Sequence, residues 1–407
     1  MREMRDSGVE WMGKVPENWN IVALKFLCSM QSGKTLSSEQ ISEEGKYPVY
    51  GGNGLRGYYS EANTFGDYLL VGRQGALCGN VHHVQGEFWA TEHAVVTKCS
   101  ALSDVRYMYY LLLGMNLNQY ASNTAAQPGL AVSQIINVKT CLAPIQEQKL
   151  IAVVLDEKCS QVDALIANVQ AQIEKLKAYK QSLITAVVTK GLDPTVPMKD
   201  SGFEWIGEIP AHWGVTRIKN MFELWNERND EADLTKVNLI SLYTDLGVVQ
   251  HSDLTATTGN RAVTAEGYKI VRKHDIVVNI ILCWMGAVGM SQYDGVTSPA
   301  YDIYRPLKDT NSEYYHYLFR TNRFNGECYR YGRGIMMMRW RTYSTEFRAI
   351  NIPCPPAEEQ KKIVTHLNEK CNKIDQLIAI KQAKIEKLEQ YKRSLIYEYV
   401  TGKKEVR

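Results

Sequence analysis

Neither sign of charge dominates this 407-residue chain: 47 Lys and Arg face 44 Asp and Glu, a formal net charge of +3. Overall charge therefore does not by itself announce a nucleic-acid partner. No apolar run is long enough to cross a bilayer. The opening residues, Met1-Arg2-Glu3-Met4-Arg5-Asp6, are charged and lack the apolar stretch of a secretory signal. The nine cysteines are odd in number and have no compact regular spacing, which does not suggest a disulfide framework. A reducing cytoplasm is the predicted location.

Signatures of catalysis are missing too. There is no P-loop lysine motif, so ATP chemistry is not expected of this chain. The only double proline, Pro355-Pro356, is followed by Ala357 rather than by the aromatic of an amino-methyltransferase motif. Gly52-Asn53-Gly54-Leu55-Arg56-Gly57 formally matches a dinucleotide-binding loop, but Tyr58-Tyr59-Ser60 follows with no helical periodicity to receive a pyrophosphate. Cys78, His82, His83 and His93 fit none of the paired spacings of a zinc site. No catalytic residue, metal or cofactor is predicted.

What the chain does contain is a duplication. Met4-Arg5-Asp6-Ser7-Gly8-Val9-Glu10-Trp11-Met12-Gly13-Lys14-Val15-Pro16 returns as Met198-Lys199-Asp200-Ser201-Gly202-Phe203-Glu204-Trp205-Ile206-Gly207-Glu208-Ile209-Pro210, with Trp19 and Trp213 at the same offset. A second repeated stretch opens at Pro144-Ile145-Gln146-Glu147-Gln148-Lys149 and again at Pro356-Ala357-Glu358-Glu359-Gln360-Lys361. It aligns without a gap to Val188-Thr189 and Val400-Thr401. Between these frames lie two dissimilar inserts, 26–143 and 220–355, whose short β-branched and aromatic runs are cut by Gly, Pro, Asn and Asp.

The second frame reads as a long helix. Leu155, Val162, Val169, Leu176 and Leu183 recur every seven residues in the first copy, and Leu367, Ile374, Leu388 and Leu395 fall on the same phase in the second, the pattern of a coiled-coil seam. About 42 helical residues at 1.5 Å each span roughly 60 Å. Parallel helices would force the second insert to bridge that full length, whereas antiparallel ones need no such span. In that arrangement Cys159 and Cys371 lie roughly 24 Å apart along the axis, too far for a disulfide.

The predicted fold is α+β: two mixed α/β domains, an antiparallel coiled coil of two long helices, and a pseudo-two-fold internal repeat. The boundaries are a first domain over 1–143, a helix over 144–190, a linker over 191–197, a second domain over 198–355, a helix over 356–402 and a tail over 403–407.

With these motifs the chain resembles the DNA-specificity subunit of type I restriction-modification systems. The resemblance is carried by Glu204-Trp205-Ile206-Gly207-Glu208-Ile209-Pro210-Ala211-His212-Trp213 and Pro355-Pro356-Ala357-Glu358-Glu359-Gln360, and by the more degenerate first copies, in which Lys14 replaces an acidic residue and Ala143-Pro144 a double proline. Gln127-Pro128-Gly129-Leu130 and Gly295-Val296-Thr297-Ser298-Pro299-Ala300-Tyr301 also look like family motifs. The resemblance implies a non-catalytic subunit present once per complex. It implies that each insert is a target recognition domain for one half of a bipartite site in double-stranded DNA. The helices would set the spacing and dock two methyltransferase subunits, and restriction subunits would join that core. S-adenosylmethionine, ATP and Mg would be held by those partners. Unlike inserts imply an asymmetric site, and half-sites about one helical turn, ~34 Å, apart suit the rod. The alternative is a coiled-coil scaffold that bridges two proteins without reading DNA.

Base-edge readout calls for Arg or Lys at guanine and Asn or Gln at adenine. In the second insert Arg320, Arg323, Arg330, Arg333, Arg339, Arg341 and Arg348 fall among Tyr329, Tyr331, Trp340 and Tyr343, with few acids nearby. Arg330, Arg333, Arg339 and Arg341 are the foremost candidates for DNA contact there, followed by Trp284. In the first insert the candidates are Asn53 and Arg56, Arg73 and Gln74 in short glycine-flanked loops, and Gln127. Basic and acidic residues nearly balance in each insert, while affinity for DNA rises steeply with phosphates neutralised. The isolated chain should therefore bind DNA weakly, and tightly only with methyltransferase subunits closed around the duplex. Nanomolar binding of its site by the purified chain alone, in physiological salt, would contradict this.

Overall fold

The computed structural model describes residues 2–75, 77–122, 129–253, 264–334 and 340–406. Two helices dominate it, Ile145–Lys190 and Ala357–Val400. Pro144 and Pro356 precede them, where a missing N–H costs nothing. Gly191 and Gly402, with φ of +75° and +67°, end them in the left-handed conformation that glycine adopts freely. The chain forms two compact units that do not follow the linear division drawn from the sequence. One comprises Met1–Ala171 and Lys381–Arg407, the other Gln172–Ile380, so each unit draws a segment from both helices.

In the first unit a mixed six-stranded sheet runs in the order Cys28–Ser32, Ala94–Cys99, Thr64–Gly72, Val81–Ala90, Tyr47–Gly51, Gly54–Tyr59. All neighbours are antiparallel except Tyr47–Gly51 beside Val81–Ala90. The second unit holds a four-stranded sheet in the order Phe222–Trp225, Tyr301–Pro306, Ile276–Asn279, Val288–Met290. Each insert is closed by its own ends. Asn20–Ala23 pairs with Lys139–Leu142, and Gly214–Arg217 with Asn351–Cys354.

That closure brings the two repeated motifs together. Trp19 Nε1 donates to Glu147 Oε2 at 3.0 Å, and Trp213 Nε1 donates to Glu359 Oε2 at the same distance. The next residue of each motif is buried and works inward. Gln148 accepts from the Asp104 N–H (2.8 Å) and donates to the carbonyls of Ala143 (2.8 Å) and Leu102 (3.1 Å). Gln360 accepts from the Asn311 N–H (3.0 Å) and donates to the Pro355 carbonyl (2.8 Å). Burial pushes the Glu147 carboxyl up in pKa, but the hydrogen bonds from Arg2 and Trp19 outweigh it and hold the group below its ordinary value.

Within each unit the helix segments run antiparallel. In the first, Val400 lies beside the start of the first helix, its carbonyl accepting from Cys141 Sγ (3.1 Å), while Lys392 reaches further along to Asp163 (2.7 and 2.6 Å). In the second, a Cβ on Gly191 would lie 3.1 Å from the Glu359 carboxylate, and Lys180 reaches Asp375 (2.7 and 2.6 Å). Asp163 and Asp375 are the same repeat position, as are Lys180 and Lys392, so each pair is the other with the copies exchanged.

These exposed pairs are worth about 0–1 kcal/mol each. The packing beneath them weighs more, at about 1.5–3 kcal/mol for each fully buried aliphatic side chain. Leu155 and Leu395 join the core of the first unit, Leu367 and Ile363 that of the second. Of the other predicted seam residues, Val162, Val169 and Ile374 are buried, whereas Leu176, Leu183 and Leu388 are only partly so. Ile173 and Ile385, three residues before Leu176 and Leu388 and part of a second apolar row that the sequence also carries, lie inside. A straight helix of 3.6 residues per turn drifts away from a strict seven-residue repeat. All nine cysteines are free thiols, Cys159 and Cys371 included.

Two measurements follow from this packing. Gln148→Ala and Gln360→Ala each strand buried polar groups, and each should cost about 2–3 kcal/mol in denaturant unfolding. Lys180→Ala and Lys392→Ala should cost less than about 1 kcal/mol. His316 supplies a pH dependence. It is half-buried, with Nδ1 accepting the Met290 N–H (3.1 Å), and its pKa is pushed down to about 3 by desolvation, with the Arg320 charge adding to it. A depressed base stabilises the fold above its unfolded pKa of about 6.5, and that stability is lost as pH falls from there toward 3. Unfolding free energy should drop by up to about 1.4 kcal/mol per pH unit below pH 6.5 on its account. His316→Asn, which keeps an acceptor for Met290, should flatten that part of the slope.

Candidate nucleic-acid interface

In the first unit four backbone segments meet around two glycines. A Cβ on Gly72 would sit 2.3 Å from the Gly52 carbonyl oxygen, and one on Gly52 would sit 2.8 Å from that of His93, so no other residue lets these turns approach so closely. The Arg73 N–H donates to the His93 carbonyl (2.9 Å), and the Arg73 carbonyl accepts from Leu130 N–H (2.9 Å). Gln74 forms a β-bridge with Gly129, and Asn80 Nδ2 donates to Asn53 Oδ1 (3.4 Å).

The structure thereby gathers Asn53, Arg73 and Gln74, which the sequence scatters over two loops. Arg56 flanks the same turn, its Cδ lying 2.6 Å from where a Cβ on Gly51 would be. Asn53, Arg56 and Gln74 are exposed. Arg73 is half-buried and donates through Nη1 to Ser32 Oγ (3.3 Å). Gln127 lies outside the described residues.

His93 and Glu92 belong to this cluster, and sequence reasoning missed them there. His93 Nδ1 lies 3.1 Å from Gln74 Oε1, and its Nε2 lies 3.3 Å from Glu92 Oε1. The available signal was spacing: Thr91-Glu92-His93-Ala94 repeats the Thr-x-x-Ala of Thr297-Ser298-Pro299-Ala300. The other zinc-like residues have separate roles. Cys78 Sγ donates to the Arg73 carbonyl (3.3 Å), His83 Nε2 meets Asp67 Oδ1 (2.6 Å), and burial lowers the pKa of His82. Among the described residues no group of three or more His, Cys, Asp or Glu is placed to hold a metal.

The second unit builds its face from rings. Trp284 packs edge-on against Tyr329 (5.6 Å), and Tyr329 stacks on Trp340 (5.0 Å, 21°). Trp340 Nε1 donates to the Tyr329 carbonyl (3.0 Å) and lies 2.2 Å from where Gly332 would carry a Cβ. Arg333 and Arg341 exchange both backbone hydrogen bonds (2.8 and 2.9 Å), an antiparallel closure. Buried Thr342 ties that closure to the Trp284 loop, its N–H donating to the Ile280 carbonyl (2.9 Å). Arg339 lies outside the described residues.

The expectation of an arginine face with few acids needs correction. Arg320 is an interior strut that donates to the carbonyls of Asp245 (2.7 Å), Thr244 (3.0 Å) and Val288 (3.1 Å), and burial lowers its pKa. Arg323 donates to the Ile206 carbonyl (3.4 Å). Arg330 is exposed but paired in fork fashion with Glu327 (2.8 and 2.6 Å) and lies over the Tyr331 ring (4.9 Å). Arg333 meets Glu346 at 3.2 Å. Glu327 acts at helical i,i+3 spacing, and Glu346 arrives from a short helix beyond the loop. Arg341 is exposed. Trp284, Arg333 and Arg341 are therefore brought together, with part of their charge offset by these acids.

The model of the type I restriction modification DNA specificity domain matches this chain twice, at residues 16–177 and 210–390. The chain belongs to that family, whose members are the non-catalytic specificity subunits of type I restriction-modification systems. It is 44% identical over 135 residues to the type I restriction enzyme EcoprrI specificity subunit of Escherichia coli, a match that spans 32% of this chain and 33% of that protein. Across 96% of its length it is 24% identical to the MjaVIII specificity subunit of Methanocaldococcus jannaschii, covering 94% of that protein. In fold it is similar to a chain solved in work on complex assembly and conformational transition of the type I R-M system. There the TM-score is 0.61 at 12% identity, over 95% of this chain and 98% of that one. No helix among the described residues is long and apolar enough to cross a membrane.

Proposed function

We propose that this specificity subunit reads an asymmetric bipartite site in double-stranded DNA. One half falls to the insert of the first unit, through Asn53, Arg56, Arg73, Gln74 and Gln127. The other falls to the insert of the second, through Trp284, Arg330, Arg333, Arg339 and Arg341. One observation carries the reading: a duplicated frame, with the same tryptophan–glutamate and glutamine bonds in both copies, holds two inserts of unlike sequence and unlike sheet. A frame built twice suits two copies of one partner, and the helices would dock two methyltransferase subunits that supply S-adenosylmethionine chemistry. Restriction subunits, with their ATP and Mg, would join that assembly in the cytoplasm.

The charges of Arg330 and Arg333 are already offset by Glu327 and Glu346, which leaves less to neutralise phosphates and supports weak binding by the chain alone. Co-expression with methyltransferase subunits and mapping of methylated adenines in genomic DNA should reveal one two-part motif. Exchanging residues 220–355 for the corresponding insert of another specificity subunit should alter one half of it only. Methylation without sequence preference, or a change in both halves, would sink the reading.

A further inference from the structure

We propose that Gln74 reads an adenine in the half-site of the first unit, and that His93 is the positioning residue that fixes its amide for the task. The inference rests on the reading of that insert as a DNA-recognition domain. Base readers must be held still before contact, because a side chain ordered only on binding gives back part of what the contact gains. Among the exposed candidates of the first unit, Gln74 is the one whose backbone and side chain are both held. Its neighbour Arg73 is hydrogen-bonded by its N–H to His93 and by its carbonyl to Leu130 (2.9 Å each). Gln74 itself bridges to Gly129, and its Oε1 lies 3.1 Å from His93 Nδ1. Glu92 Oε1 stands 3.3 Å from the far ring nitrogen.

The direction of that hydrogen bond sets the chemistry. With Nδ1–H donating to Oε1, the amide oxygen is turned toward the histidine and keeps one lone pair. The Nε2 donors are turned the other way. A carbonyl and an amide NH2 held in one plane match the N6 donor and N7 acceptor that adenine shows in the major groove, and no other base presents that pair. Free to rotate, the same glutamine could exchange oxygen for nitrogen and meet guanine instead. His93 thus acts on specificity through Gln74 and need not touch DNA.

The test uses the full chain assembled with its methyltransferase subunits. Duplexes carry the mapped site, with each adenine of the first unit's half replaced in turn by 7-deazaadenine, which lacks the N7 acceptor. At one position kcat/KM for methyl transfer should fall by roughly tenfold with the unaltered complex, and the same replacement should have no effect on Gln74→Ala. His93→Ala should lose most of this discrimination. His93→Asn, whose Nδ2–H can stand where Nδ1–H stood, should keep it. A complex that remains site-specific, yet responds to 7-deazaadenine identically with and without Gln74, overturns the assignment and leaves the domain reading intact. A complex with no sequence preference at all overturns both.

Discussion

Almost everything in this protein hangs on a bond between an indole and a carboxylate, made once in each unit. Trp19 is buried, and its N–H would be stranded in the core without Glu147; Trp213 and Glu359 repeat the arrangement. The bond joins the residue just before strand Asn20–Ala23, or Gly214–Arg217, to the first turn of the helix that follows the insert. The adjoining glutamine then stitches that turn to the helix inside the insert. An insert held at both ends by such a frame can change its interior without losing its attachment. The two inserts here have done so, one closing on a six-stranded sheet and the other on four strands and a ring-lined face.

The duplication and the antiparallel sense of the helices were legible in the sequence, because repeated frames keep the same residues where they do the same job. The clasp itself was not. Trp19 and Glu147 lie 128 positions apart, and only the pairing of Asn20–Ala23 with Lys139–Leu142 makes them neighbours. The Arg–aromatic stretch was legible in composition but not in geometry, since counting cannot tell an arginine that faces solvent from Arg320, which braces two backbone segments through four carbonyls. His93 was hidden differently. With Cys78, His82 and His83 it fits no metal-ligand spacing and so carried no role in the sequence, whereas its partners are Gln74 and Glu92. Along the seam the heptad phase drifts, and Leu176, Leu183 and Leu388 are only partly buried.

The two faces proposed for recognition are made rigid with different materials. In the first, glycines let turns touch, and polar side chains are fixed by hydrogen bonds at the meeting point. In the second, stacked rings supply the rigidity, and the charged groups around them are held in ion pairs. Rigidity by hydrogen bonding favours readout of base edges. Rigidity by stacking under paired charges leaves more to shape and to backbone contact.

The route of the chain through the two cores has a consequence for the order in which they form. The second unit is a single continuous stretch, and its core is complete once residue 380 has been made. The first unit lacks Leu395, Ile396, Tyr399 and Val400 until the last residues of its helix partner exist, and Gly402 must then settle against Pro16 and Trp19. Domains generally fold as units, the N-terminal one first during synthesis. Here the half synthesised first is the half finished last, and its exposed apolar surface has to wait, unpaired, for the opposite end of the polypeptide to arrive.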